Sequence, residues 1–120
     1  MHIETHHIND IKIAEIISDA MLIQTADEGL NLLMDLYYQD FDRMMLYERN
    51  ITPLFFDLKN GLAGEILQKF SNYRVHLAIV GDFSKYTSKS ITDFMYESNK
   101  GKQVNFVDSK EKALTMLSNH

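Results

Sequence analysis

The sequence predicts an α/β domain with a mixed, mostly parallel sheet that begins with an N-terminal β-hairpin, and two observations support this class. Short β-branched or apolar runs alternate with amphipathic stretches in the order ββαβαβαβα. The run at 74–82 (RVHLAIVGD) is almost continuously apolar, which is typical of a central strand in a parallel sheet. Because such strands are connected by right-handed crossovers, we expect the helices to cover the sheet.

The first two runs, at 3–8 and 11–17, are predicted to form a hairpin around Asn9 and Asp10. The turn contains no glycine, so its type stays open. We expect this hairpin to supply one antiparallel edge strand, and the second strand to be buried on both faces beyond Ala14.

Thr25 and Glu28 have the spacing of a capping box and predict the start of a helix. Its apolar stripe is predicted from residues spaced three and four apart: Leu30, Leu33, Met34, Tyr37 and Tyr38. A short strand is expected over 43–47.

Pro53 is predicted to begin a long helix that runs to Tyr73. The stretch 61–64 (GLAG) allows two interpretations, a small-residue face that approaches the sheet closely or a break between two helical pieces. The remaining elements are a polar loop at 83–89, a helix ending at Gly101, a strand at 103–107 and a helix after the capping-box pattern at 108–111.

Length and composition limit the classes of function. The chain has 120 residues with 45% apolar and 24% charged residues, as expected for one globular domain spanning 1–120. Twelve basic residues against 17 acidic ones give a net charge of −5, which argues against nucleic acid as a partner. The absence of cysteine excludes a disulfide framework and a thiolate metal site.

The N-terminal segment lacks the basic and apolar regions of a signal peptide. The longest apolar run, 77–80, is far shorter than the roughly 20 residues that span a bilayer. We therefore expect a cytoplasmic protein with no membrane partner.

Two long stretches, 51–74 (ITPLFFDLKNGLAGEILQKFSNYR) and 77–101 (LAIVGDFSKYTSKSITDFMYESNKG), resemble the bacterial DUF4180 family, a domain of unknown function. The resemblance extends over nearly the whole chain. It implies no particular activity, because the family is uncharacterised.

A more distant likeness is to STAS domains, the fold of sulfate transporters and anti-sigma-factor antagonists. It rests on the element order and on 56–62 (FDLKNGL), which is similar to the antagonist pattern at the start of the second helix. In that pattern a serine follows the aspartate and is phosphorylated. Here Leu58 follows Asp57, and neither Lys59 nor Asn60 carries a hydroxyl, so the phosphoswitch does not carry over.

The loop after the central strand is the first candidate site. It leaves the carboxyl edge of the sheet and feeds a helix amino terminus, a place that favours anions. Its candidate binding residues, with two that could join them from the second helix, are Ser84, Lys85, Tyr86, Ser88, Lys89, Ser90, Asp57 and Lys59. The alternative is that Ser88 or Ser90 only caps the helix while both lysines are solvated.

A second candidate is an interface for self-association or for a partner protein. Aromatic and methionine side chains gather at Met34, Tyr37, Tyr38 and Phe41. At helical spacing such residues form a core, but neighbouring tyrosines cannot both face inward, and exposed tyrosine is enriched at interfaces.

The five histidines match no zinc-ligand spacing, and no glycine-rich phosphate-binding motif is present, so we expect neither a metal nor a cofactor. No nucleophile stands beside a histidine, which argues against catalysis. The sequence therefore favours a non-catalytic regulatory or protein-interaction module of STAS-like type. The alternative is a domain that binds a small molecule or anion through the loop at 82–90, and this alternative includes an enzyme.

Overall fold

Five strands form one sheet in the computed structural model, which describes residues 1–119. They follow one another across the sheet in chain order: β1 (His2–Ile8), β2 (Ile11–Ile17), β3 (Arg43–Tyr47), β4 (His76–Val80) and β5 (Val104–Val107). β1 is antiparallel to β2, and all other neighbours are parallel. The predicted α/β class, hairpin start and element order are confirmed.

Within the described residues, four helices cover the two faces of this sheet unequally: α1 (Ala26–Tyr37), α2 (Leu62–Asn72), α3 (Lys89–Lys100) and α4 (Lys110–Leu117). The larger core packs side chains of α1, α2 and α3 against one face. On the other face, Ala113 and Leu117 of α4 pack against Met45 and Ala78. Because α4 is short, part of this second face is left to polar side chains.

The hairpin turn adopts a type I′ geometry, since φ is +53° at Asn9 and +64° at Asp10. This twist matches that of the flanking strands and pairs Ile8 with Ile11. Burial on both faces of β2 beyond Ala14 is confirmed, and it includes the carboxylate of Glu15, which is 3% exposed.

Helix α1 begins where predicted, with the Thr25 hydroxyl accepting a hydrogen bond from the Glu28 amide at 3.1 Å. The predicted stripe is wrong, because of its five members only Leu33 is fully buried. The buried residues of the helix are Gly29, Leu32, Leu33 and Leu36. Gly29 lies against Ile23 and against Ile66 of α2. This contact orients α1 so that Tyr37 and Tyr38 face solvent.

The prediction of one long helix from Pro53 to Tyr73 is wrong. The alternative, a break between two helical pieces at 61–64, is correct. Two 3₁₀ helices, Pro53–Phe56 and Leu58–Asn60, precede α2. Gly61, with φ at +77°, interrupts the helical conformation before α2. The Asn60 side chain donates a hydrogen bond to the Leu54 carbonyl and accepts one from the Leu62 amide. A Cβ added at Gly61 or Gly64 would meet only open space, so neither glycine approaches the sheet.

The C-terminal elements lie close to their predicted positions. Ser88 caps α3, which is followed by Gly101, and β5 begins at Val104. The cap of α4 is Ser109, whose hydroxyl accepts a hydrogen bond from the Lys112 amide at 3.1 Å.

Candidate functional site

The loop between β4 and α3 leaves the carboxyl edge of the sheet, as expected, but several of its polar side chains form bonds within the chain. Ser84 donates from its amide and its hydroxyl to Asp82 at 3.1 and 2.6 Å, and these bonds lower the pKa of the Asp82 carboxyl. The Lys85 ammonium lies 2.7 Å from the Glu48 carboxylate. The Tyr86 hydroxyl donates to the same carboxylate at 2.5 Å.

The end of the loop makes local contacts along α3. Ser88 accepts a hydrogen bond from the Ile91 amide at 3.4 Å. Lys89 pairs with Asp93 one turn later at 2.7 Å, and both side chains are exposed. Ser90 is exposed and lines a shallow groove beside Phe94. These contacts are those of an ordinary helix start.

Glu48, which sequence reasoning missed, organises this loop. It follows β3 directly, and its side chain is only 15% exposed. A Cβ at Gly81 would stand 2.7 Å from the Glu48 Cβ, so only glycine leaves room for this carboxylate. Burial and the bond to Glu48 raise the pKa of Tyr86, whose ring stacks on Phe56 at 4.2 Å. The signal was an acidic residue placed directly after a buried strand.

Asp57 and Lys59 do not join this loop. The Asp57 carboxylate accepts a hydrogen bond from the Lys59 amide at 3.3 Å and so caps the second 3₁₀ helix. Asp57 lines a groove with Thr25, Asn60 and Glu65, to which no residue of 82–90 contributes.

Two of the four candidate interface residues lie on the surface, together with a third tyrosine that sequence reasoning missed. Tyr38 is 77% exposed, Tyr37 43% and Tyr73 40%. The Tyr37 ring touches both others edge to face, with centroids 6.3 Å from Tyr38 and 5.8 Å from Tyr73. Met34 is half-buried, and Phe41 is buried in the core. We call Tyr37, Tyr38 and Tyr73 the tyrosine patch.

A groove of about 570 Å³ adjoins the tyrosine patch through Tyr37. The two cationic side chains of the groove are hydrogen-bonded to backbone carbonyls. Lys12 donates to the Gln39 carbonyl at 2.7 Å, and Arg43 donates to the Leu117 carbonyl at 3.1 Å. Its carboxylates include Asp10 and Asp40, which form no ion pair with any residue of 1–119. The groove therefore offers acceptors rather than free cations.

A buried carboxylate network lies on the α4 face of the sheet. Glu15 accepts from the Tyr47 hydroxyl at 2.6 Å and contacts His6 Nε2 and Lys110 Nζ, both at 2.9 Å. Burial by itself would raise the pKa of Glu15, but the bonds from Tyr47, His6 and Lys110 outweigh it and hold the pKa below 4.5. Burial and the same bond raise the pKa of Tyr47 to about 12. The signal was an acid inside the apolar run of β2.

The family of the chain follows from its sequence. The model of the family described as Domain of unknown function (DUF4180) matches residues 8–117. The chain belongs to the DUF4180 family. No curated protein and no solved structure matches it significantly.

The match over 8–117 includes every candidate residue discussed above except His6. Within residues 1–119 of this DUF4180 domain, no three His, Asp or Glu side chains are grouped so as to hold a metal ion. None of the helices in that part of the chain has the length and apolar character needed to cross a membrane.

Proposed function

We propose that this DUF4180 domain is a non-catalytic, cytoplasmic protein-interaction module that binds its partner through the tyrosine patch. The observation that carries the proposal is the joint exposure of Tyr37, Tyr38 and Tyr73 at the C-terminal ends of α1 and α2. The STAS-like resemblance implies that this role is regulatory. The domain would then act by binding another protein rather than by converting a substrate.

Tyrosine suits such a surface because each ring buries a large area while losing few rotamers, and its hydroxyl still bonds water or a partner. The edge-to-face contacts of Tyr37 with both neighbours hold the three rings in one arrangement before binding. A preorganised aromatic cluster loses less entropy on association than separate flexible side chains do.

The chemistry beside the patch favours a basic partner segment. Asp10 and Asp40, which form no ion pair within residues 1–119, contribute carboxylates to the adjoining groove, and Asp35 is exposed on the same helix as Tyr37. An arginine or lysine on the partner gains both a carboxylate contact and the face of a tyrosine ring. The net charge of −5 attracts such a segment from a distance.

Affinity capture from the cells that make this protein tests the proposal, with proteins quantified by mass spectrometry. The wild type is compared with the double variant Tyr37→Ala/Tyr38→Ala and with Tyr96→Ala, which removes a tyrosine that is 64% exposed on α3. We expect at least one protein to be lost about tenfold or more in the double variant, equivalent to about 1.4 kcal/mol, and kept by the control. Equal retention by all three contradicts the proposal.

The alternative is a small anion bound by Ser84, Lys85, Ser88 and Lys89 at the start of α3. The contacts of Lys85 with Glu48 and of Lys89 with Asp93 favour the interaction module, because an anion would have to displace both carboxylates. Thermal denaturation with inorganic phosphate tests this alternative, since a ligand at 100 times its Kd stabilises a protein by about 2.7 kcal/mol. A shift that is lost in Lys85→Ala would support it.

A further inference from the structure

The two edge strands of the sheet, β1 and β5, differ in how far their outward backbone groups are hydrogen-bonded. At the β5 edge, the Asn99 side chain of α3 accepts from the Phe106 amide at 2.7 Å and donates to the Phe106 carbonyl at 3.1 Å. Ser98 of the same helix donates its hydroxyl to the Val104 carbonyl. Side chains of α3 therefore occupy the backbone groups that a sixth strand would need.

The β1 edge has no such cover within residues 1–119. β1 pairs only with β2, in unbroken register over all seven residues, and no strand of residues 1–119 pairs with its other side. Its sequence, HIETHHI, contains no proline or lysine, two residues that usually protect an exposed edge. The type I′ turn makes Ile8 and Ile11 a hydrogen-bonded pair, so by alternation Ile3, Thr5 and His7 direct their amides and carbonyls outward.

We propose that a second copy of this chain pairs with the β1 edge, antiparallel and centred on Thr5. In this register Thr5 lies opposite Thr5 of the second copy, and Ile3 lies opposite the partner's His7. Each outward amide and carbonyl then meets an outward partner, and the two sheets join into one. The symmetry is a twofold axis that passes through the Thr5 pair.

The side chains favour this register over its neighbours. It places Glu4 opposite the partner's His6 in a non-hydrogen-bonded pair, where side chains approach most closely. A shift of the centre to residue 4 would oppose two copies of Glu4, which is destabilising. A shift of the centre to residue 6 would oppose two copies of His6 and leave Glu4 facing the partner's Ile8. Of these three registers, only the one centred on Thr5 is complementary in charge.

A second copy fits better than an unrelated strand because the complementarity lies within one sequence. His6 is already oriented by the Glu15 carboxylate on its own sheet, so its ring is fixed before the copies meet. This inference is independent of the tyrosine patch, which lies at the ends of α1 and α2.

The mass of the purified full chain in solution tests the pairing. We expect a concentration-dependent rise from 14.0 kDa towards about twice that value. Thr5→Pro removes an outward amide and leaves the bonds between β1 and β2 intact, so it should weaken association at least tenfold. Thr5→Val keeps the amide and the β-branched shape and should dimerise like the wild type. Circular dichroism checks that each variant is folded.

Cysteine cross-linking tests the register even if Thr5→Pro does not fold, because the chain has no cysteine of its own. Thr5→Cys places two cysteines on opposed residues whose Cα atoms lie about 5.5 Å apart, within the range of a disulfide. His7→Cys separates the two cysteines by about 13 Å along the strands, so it should not cross-link within the dimer. A chain that stays monomeric up to about 1 mM, or cross-links equally well at both positions, overturns the proposal.

Discussion

Tyr47 of β3 donates a 2.6 Å hydrogen bond to Glu15 of β2, whose carboxylate is almost completely removed from solvent. Because Glu15 also contacts His6 of β1 and Lys110 of α4, one buried carboxylate connects four elements of the fold. The network stabilises the position of β1 and so fixes the edge strand.

Glu15→Gln should lower the free energy of unfolding by about 1–3 kcal/mol, because Lys110 loses its partner ion and an amide cannot accept all three bonds. Urea denaturation measures this loss. The matched control is Asp108→Asn, which breaks the exposed ion pair with Lys112 and should cost less than about 1 kcal/mol. Equal losses in the two variants would show that the network contributes no more than a surface pair.

The stability of the domain should fall as the pH drops below 6.5, owing to His76. Burial lowers the pKa of His76, as do the charges of Arg43 and Lys102, while the bond to Asn105 opposes the shift. A histidine whose pKa is lower in the folded state contributes stability above the unfolded pKa and loses it as the pH falls.

Urea midpoints at pH 7.5, 6 and 5 follow this loss, and His76→Gln should flatten the dependence in that window. Glu15 acts only at lower pH, because its pKa lies below 4.5 in the folded state and its contribution is lost as the pH falls from there. An unchanged pH dependence in His76→Gln would contradict the assignment.

Two glycines three residues apart should respond to alanine with opposite signs. Gly61→Ala forces a side chain into a left-handed backbone with φ at +77° and should destabilise by about 1 kcal/mol. Gly64→Ala lies in an exposed turn of α2 with open space around it and should stabilise by about 0.5–1 kcal/mol. Thermal melts of the two variants measure the difference. A stabilising Gly61→Ala would show that the break before α2 does not need glycine.

Asn99→Ala should destabilise the domain by about 1–3 kcal/mol, because it leaves the amide and carbonyl of Phe106 without their partner. It should also promote aggregation through the uncovered β5 edge. Asn72→Ala, which removes an exposed amide bonded to Gln68, is the control for asparagine loss on a helix. Light scattering that rises equally in both variants would argue against a protective role for Asn99.

Local sequence signals predicted most of the fold. The hairpin, the caps at Thr25 and Ser88 and the buried central strand all depend on residues close together in the chain. The errors came from contacts distant in sequence. The packing of Gly29 against Ile66 determines which face of α1 is buried. The hydrogen bond from the Asn60 side chain to the Leu54 carbonyl stabilises the break before α2.

The candidate sites were less predictable than the fold. The adjacency of Tyr37 and Tyr38 predicted that one of the two rings is exposed, whereas the structure exposes both. Tyr73 joins them only through the packing of α2 beside α1. Glu15 and Glu48 were overlooked because a carboxylate in or after a strand acquires its partners from other elements. An acid inside a run predicted to be buried on both faces is itself a sign of such a network.

Photocross-linking from position 38 tests the interaction surface most directly. A benzophenone amino acid replaces Tyr38 in one variant and Tyr96 in the control, and each is irradiated in the cells that make the protein. We predict an adduct with a partner protein at position 38 that is absent at 96, is lost in a Tyr73→Ala background, and maps to a peptide containing arginine or lysine. Equal labelling from both positions, or none from position 38, would contradict a binding surface at the tyrosine patch.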